Sequence, residues 1–349
     1  MKIFRLAGAF VLSVVAVFQF GCGSTGILES NGSGTSYKSL DLTINGCYHG
    51  FFAIDNETAS SFTTLAGKAP AIVGIFVPFL VNGSTVLSDS YASTFSEMVT
   101  AGMVPYITWE PMDSAWGTLS SYPTGQNILQ KIVSGNYDIM INNWADRLKA
   151  IDSPVIIRFA HEMNGNWYPW SADATLYKSA FRSLVSKFRA RGAYNVMWVF
   201  APNHDAGGTT HNYQTYFPGA DVVDMTGISG YNWGFGSSQP SWSTWVTFSA
   251  LFQSMVGDLT SLYGLPIILD LASTEVGGSK ATWITDMMSQ LSSNGVFSKV
   301  KAFCWFQANK ETDWRINSGT TNSSRSAYST AISGSYFYAT PVVVTKTTQ

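Results

Sequence analysis

From residue 40 onward one rhythm repeats along the chain. Short runs of apolar, β-branched and aromatic residues alternate with longer segments of helical period. Eight such runs occur, at 47–53, 71–77, 103–109, 155–160, 196–201, 223–229, 266–271 and 300–306. Helical segments between them include 128–151, 176–191, 248–263 and 283–293; in the second, Tyr177, Phe181, Leu184 and Phe188 form one apolar stripe. Runs that are apolar on both faces and separated by helices make a parallel sheet. Eight such units predict an α/β fold, a closed (β/α)8 TIM barrel, as a single domain over 40–335. A doubly wound open sheet is the alternative, but no GxGxxG loop follows the first run.

The two ends read differently. Lys2 and Arg5 precede an apolar run at 6–20 and then Gly21-Cys22, the pattern of an export signal over 1–21. The run is too short and too early for a membrane span. Cys22 followed by Gly-Ser-Thr-Gly resembles the acylated cysteine of bacterial lipoproteins, although Gln19 stands where that motif has an aliphatic residue. The expectation is an exported protein, held at the cell surface by a lipid on Cys22 or secreted. Residues 22–39 read as a flexible Gly/Ser-rich linker, and 336–349 as a β-rich tail. With Cys22 lipidated or removed, Cys47 and Cys304 are left, as a disulfide or as two buried thiols.

The 20 Lys+Arg against 22 Asp+Glu lack the cationic face that nucleic acid requires. With 12 Trp, 16 Tyr and 22 Phe, the chain can build a large core and still offer aromatic faces to a ligand. A monomer is expected.

A barrel's active site lies at the C-terminal ends of its strands. Two carboxylates stand out there: Glu162 after the fourth run and Glu275 after the seventh, neither beside a Lys or Arg. Strands four and seven face one another across such a mouth. Paired carboxylates across an aromatic cleft suit glycoside hydrolysis, one giving a proton to the leaving oxygen and the other, ionised, attacking C1 or activating water. Structural readings compete: Glu162 paired with Arg158, Glu275 as a helix cap, and Glu110 as a third candidate. His161-Glu162 opens like a zinc HExxH, but Gly165 stands where the second His belongs. The four His, at 49, 161, 204 and 211, supply no HxH pair. No metal or organic cofactor is therefore expected.

RFAHEMNGNWYPW at 158–170 resembles the strand-four motif of glycoside hydrolase family 26, a retaining (β/α)8 family. ITWEP at 107–111, GISGYNWG at 227–234, the strand-seven glutamate and CWFQANKETDWRI at 304–316 follow in the family's order. The resemblance implies Glu162 as acid/base and Glu275 as nucleophile. It places Arg158, His161, Trp167, Tyr231 and Trp305 around the subsite where the bond breaks, with Trp109 beside them. Tyr231 would hydrogen-bond the nucleophile and Trp305 would floor the reacting sugar. The implied partner is a β-linked polysaccharide, β-1,4-mannan first, with mixed-linkage β-1,3-1,4-glucan and β-1,3-xylan as other family substrates. Trp167-Tyr168-Pro169-Trp170 and Ser229 depart from the mannanase pattern near the substrate groove. A non-catalytic glycan-binding protein on the same barrel would keep the tryptophans and lose one glutamate.

Overall fold

In the computed structural model, which describes residues 34–54, 57–116, 127–204, 211–319 and 321–348, every one of the eight apolar runs is a β-strand. In chain order they are β2 (Cys47–Phe52), β3 (Ile72–Val81), β5 (Val104–Asp113), β6 (Val155–Phe159), β7 (Val196–Phe200), β8 (Met225–Asn232), β9 (Ile267–Ser273) and β10 (Val300–Phe306). Each pairs in parallel with the next, and β10 pairs with β2, so the sheet closes on itself. This is the expected (β/α)8 barrel. A short β4 (Ser84–Thr85) folds back on β3.

The helices are α1 (Ala59–Ala66), α2 (Ala92–Thr100), α3 (Ile128–Val133), α4 (Asp138–Ala150), α5 (Ala174–Ala190), α6 (Phe248–Tyr263), α7 (Lys280–Ser293) and α8 (Ser323–Ile332). Local chemistry sets their ends. Thr247 caps α6 by accepting from Ala250 N–H, and Gly264 stops it at φ 65°. The expected helix over 128–151 is instead α3 and α4, because Gly135, at φ 81°, turns the chain between them. The β7–β8 crossover carries a 3₁₀ turn, Tyr213–Tyr216, among its described residues.

The ends of the chain and the two cysteines add detail. The linker expected over 22–39 is ordered at its end: β1 (Ser36–Leu40) pairs antiparallel with β12 (Val343–Thr347). The tail also places β11 (Phe337–Tyr338) beside β2. Cys47 and Cys304 are both free, buried thiols. Cys304 lies opposite Gly50, three residues along the neighbouring strand from Cys47. The export signal and Cys22 lie outside the described residues.

Alternation along the strands decides what faces the mouth. On β5, Thr108 points into the barrel, where its Oγ1 accepts from Arg158 of β6 at 2.7 Å. Trp109 must then point outward. It packs 4.6 Å from Phe79 and 5.4 Å from Trp144 of α4.

Candidate active site

At the C-terminal mouth lies a cavity of about 540 Å³. Phe76 on β3, Phe306 at the end of β10 and Tyr231 on β8 form its lower wall. Trp233, Trp242 and Trp314 make an aromatic corner, with ring centroids 5.4 Å apart for Trp233–Trp242 and 4.9 Å for Trp233–Trp314. Trp242 is 65% exposed, so the aromatic surface continues onto the rim. The loop after β6 contributes His161, Glu162, Trp167 and Tyr168, and Lys310 and Glu311 add charge from the loop after β10.

Glu162 is held by that loop's geometry. Ala160 (φ 48°) and Glu162 (φ 55°) both adopt left-handed backbone, at a cost of about 1–3 kcal/mol each. The surrounding bonds enforce it: Glu162 N–H donates to Ala201 C=O at 2.8 Å. Asn164 ties the loop to the next one, donating to Asn203 C=O at 2.9 Å and accepting from Asn203 N–H at 2.8 Å. Trp167 donates from Nε1 to Glu162 Oε2 at 2.8 Å. Gly165 is required beneath that indole, since a Cβ would come within 2.5 Å of the ring. Strain concentrated on one cavity-facing carboxyl is a functional signal.

His161 lies behind Glu162 and shares a 3.0 Å hydrogen bond between Nε2 and Tyr168 Oη. Burial, with Arg158 and Lys310 nearby, holds its pKa well below the usual value, so the ring is neutral. Tyr168 stacks on Trp170 at 4.3 Å, and Trp170 Nε1 donates to His161 C=O at 2.7 Å.

Beneath the cavity is a buried polar layer. Arg158 donates to Thr108, to Ser229 at 3.2 Å and to Asp270 Oδ2 at 2.5 Å. Tyr106 Oη also donates to Asp270 Oδ2, at 2.9 Å. The guanidinium lies 5.0 Å from the Phe52 ring and 5.6 Å from Phe76. Burial raises Asp270 to about 6, with Arg158 and Tyr106 pulling it back. Arg158, expected to touch substrate, is 1% exposed and supports the floor instead.

Two expected tryptophans also lie elsewhere. Trp109 is on the outer face of β5, as above. Trp305 is on the outer face of β10, 6.2 Å from Trp283 and 5.9 Å from Tyr328. It acts on the cavity only by donating from Nε1 to Trp314 C=O at 2.9 Å. Phe306 and Trp314, its neighbours in the same motif, face the cavity. Strand parity, not ring size, decides which of the two faces the cavity.

Glu275 does not line the cavity either. It lies past the end of β9, where Oε1 accepts from Ser324 Oγ of α8 and Oε2 from Lys280 N–H at 3.4 Å. Lys280, fully buried, donates from Nζ to Asp313 C=O and Arg315 C=O, both at 2.9 Å, and to Ser318 Oγ at 2.6 Å. Together they brace the loop that carries Trp314. Gly234 permits this crossing, because a Cβ there would meet Val276 C=O at 1.9 Å.

Glu110, the third candidate, is partly buried within β5, opposite Pro78 of β3. Burial pushes it up to about 7, against the pull of Arg158 and Lys310, and the charge of Glu162 adds to the push. Phe76 and Trp242 lie in no motif, and the closed barrel brings them to the cavity, while Lys310 and Glu311 come from the CWFQANKETDWRI segment.

The family model described as "Glycosyl hydrolase family 26" matches residues 44–260. Endoglucanase H of Acetivibrio thermocellus is 37% identical over 266 residues, 74% of this chain and 27% of that protein. A mannan endo-1,4-beta-mannosidase of Bifidobacterium adolescentis is 30% identical over 142 residues, 39% of this chain and 14% of that protein. The chain thus spans about a quarter or less of these relatives' length. Among solved structures, a GH26 beta-mannanase from Bacteroides ovatus superposes with a TM-score of 0.62 at 16% identity, covering 85% of this chain and 91% of that one. That likeness concerns the fold.

Proposed function

From the premise that this chain belongs to glycosyl hydrolase family 26, we propose that it hydrolyses internal bonds of a β-linked plant-type polysaccharide, with retention of configuration. The observation that carries this reading is Glu162. One strained, indole-bound carboxyl opens onto an aromatic cavity at the mouth of the barrel. In this reading its proton goes to the glycosidic oxygen as the bond to C1 breaks, and it later takes a proton from the attacking water. Trp233 and the exposed Trp242 offer flat faces to the C–H faces of pyranose rings, with Trp314 packed behind Trp233.

The substrate we favour is a β-glucan, with mixed β-1,3-1,4 linkage as the family alternative to mannan. The relative named as an endoglucanase matches 74% of the chain, the one named as a mannosidase 39%. Tyr168, Pro169 and Ser229 depart from the mannanase pattern. Tyr168 bonds His161 and stacks on Trp170 within the cavity wall, while Ser229 Oγ accepts from Arg158 below it. The test is a product profile on barley β-glucan, galactomannan and β-1,3-xylan run side by side. Oligosaccharides from β-glucan are expected. Release from galactomannan alone refutes the substrate assignment, and no release from any of the three refutes the hydrolase reading. Export and a lipid anchor at Cys22 remain part of the proposal, and mass analysis of the cell-derived N-terminus tests them.

A further inference from the structure

Accepting that reading, we propose that the groove between α6 and α7 is a second glycan-binding site, which holds another stretch of the same β-glucan outside the cavity. The groove encloses about 510 Å³ and shares no lining residue with the cavity. One loop serves both. Trp233 and Trp242 of the β8–α6 loop line the cavity, and Trp245, three residues past Trp242, lines the groove. Val246 N–H donates to Asn232 Oδ1 at 3.0 Å, which ties this part of the loop to the end of β8 at the barrel mouth. At most about 11 Å of backbone separates Trp242 from Trp245, so a chain leaving the cavity over the exposed Trp242 is within reach of the groove.

Trp245 is built as a platform. Its half-buried ring lies against Gly278. A Cβ at Gly278 would stand 2.4 Å from both Cδ2 and Cε2, the shared bond at the centre of the indole, so the backbone covers one face of the ring. The other face is left to the groove. Trp283 closes the back. It is buried, donates from Nε1 to Val246 C=O at 2.9 Å and packs 5.7 Å from Phe248. A ring fixed in this way needs little further ordering when a ligand stacks on it.

The polar groups select the ligand. Asp286 and Gln290, one turn apart on α7, both line the groove and are half-buried. Gln290 Nε2 donates to Asp286 Oδ1 at 3.3 Å, and Asn294 Nδ2 donates to Gln290 Oε1 at 2.8 Å. These bonds hold the carboxylate in place as an acceptor. Among the described residues no Lys or Arg lines the groove, so an anion meets no counter-charge there. A purely apolar ligand would cover Asp286 without pairing it. A neutral, hydroxyl-rich ring satisfies both halves of the groove: its C–H face stacks on Trp245, and its hydroxyls donate to Asp286.

The test is retardation of the intact protein in native gels containing barley β-glucan, with every gel sample carrying Glu162→Gln so that the polymer survives. Adding Trp245→Ala should weaken the apparent affinity on the order of tenfold, and adding Asp286→Ala about threefold. Asp286→Ala leaves the Trp245 packing intact, so the groove is still tested should Trp245→Ala fail to fold. In the otherwise unchanged chain, each substitution should leave hydrolysis of a mixed-linkage tetrasaccharide within about twofold of the parent, because the cavity alone handles so short a substrate. Retardation indifferent to both substitutions overturns the inference, and so does an equal loss on tetrasaccharide and polymer. If the unaltered chain hydrolyses β-glucan while retardation ignores the groove, this inference alone falls. If retardation depends on the groove but the unaltered chain releases nothing from any glucan, the hydrolase reading falls and the binding site stands.

Discussion

The loops after β6 and after β9 each carry one glutamate, and the fold treats them differently. After β6 the backbone twists into left-handed conformations at Ala160 and Glu162, and the acid is turned into the cavity under the Trp167 indole. After β9 the acid becomes a brace, bonded to Ser324 and to the Lys280 backbone. Near-equal sequence cues thus gave a wall residue in one place and a scaffold residue in the other. Position at a strand end selects candidates, and side-chain direction decides among them.

The largest effect that would sharpen this contrast is at Glu162. Glu162→Gln should lower kcat on β-glucan by about 10²–10⁴-fold. Glycosides with good leaving groups should be largely spared, because they need no proton. Equal losses on both substrate types would argue against the acid role.

Next comes the floor. Arg158→Met leaves Asp270 buried without its cation and should cost about 3–5 kcal/mol, seen as a lowered denaturation midpoint. An unchanged midpoint would show that the ion pair contributes nothing to stability.

The aromatic corner should act on binding. Trp233→Ala is expected to raise KM roughly tenfold, through lost stacking and buried area, with a smaller change in kcat. A loss confined to kcat would move Trp233 from binding to the chemistry.

The floor also sets a pH response. The folded pKa of Asp270 lies above the ordinary carboxylate value, so folding favours its protonated form. That contribution to stability is complete well below pH 4 and is lost as pH rises through about 6. Denaturation midpoints of the parent should therefore fall as pH rises through about 6, and less so in Asp270→Asn. Identical pH profiles for the two would remove Asp270 as the cause.

Much of the barrel was legible because buried parallel strands are written as continuous apolar runs, and all eight run positions held. Glu162, His161, Trp167 and Tyr231 were legible because HEMNGNW and GYNWG pack several polar and aromatic residues into one loop or strand end. Trp109 and Trp305 were misplaced because inward and outward residues alternate along a strand. Arg158 does point inward, but it lies one layer below the cavity, bonded to Thr108, Ser229 and Asp270. Asp270 was hidden as an acid inside an apolar run, IILDLAS, where it reads as an interruption. Only the Arg158 and Tyr106 contacts disclose why a charge is tolerated there.

The most direct measurement compares initial rates on barley β-glucan for the parent and Glu162→Gln at one pH. The account predicts that Glu162→Gln falls by at least about 10²-fold. A Glu162→Gln variant that keeps the parent rate would contradict it.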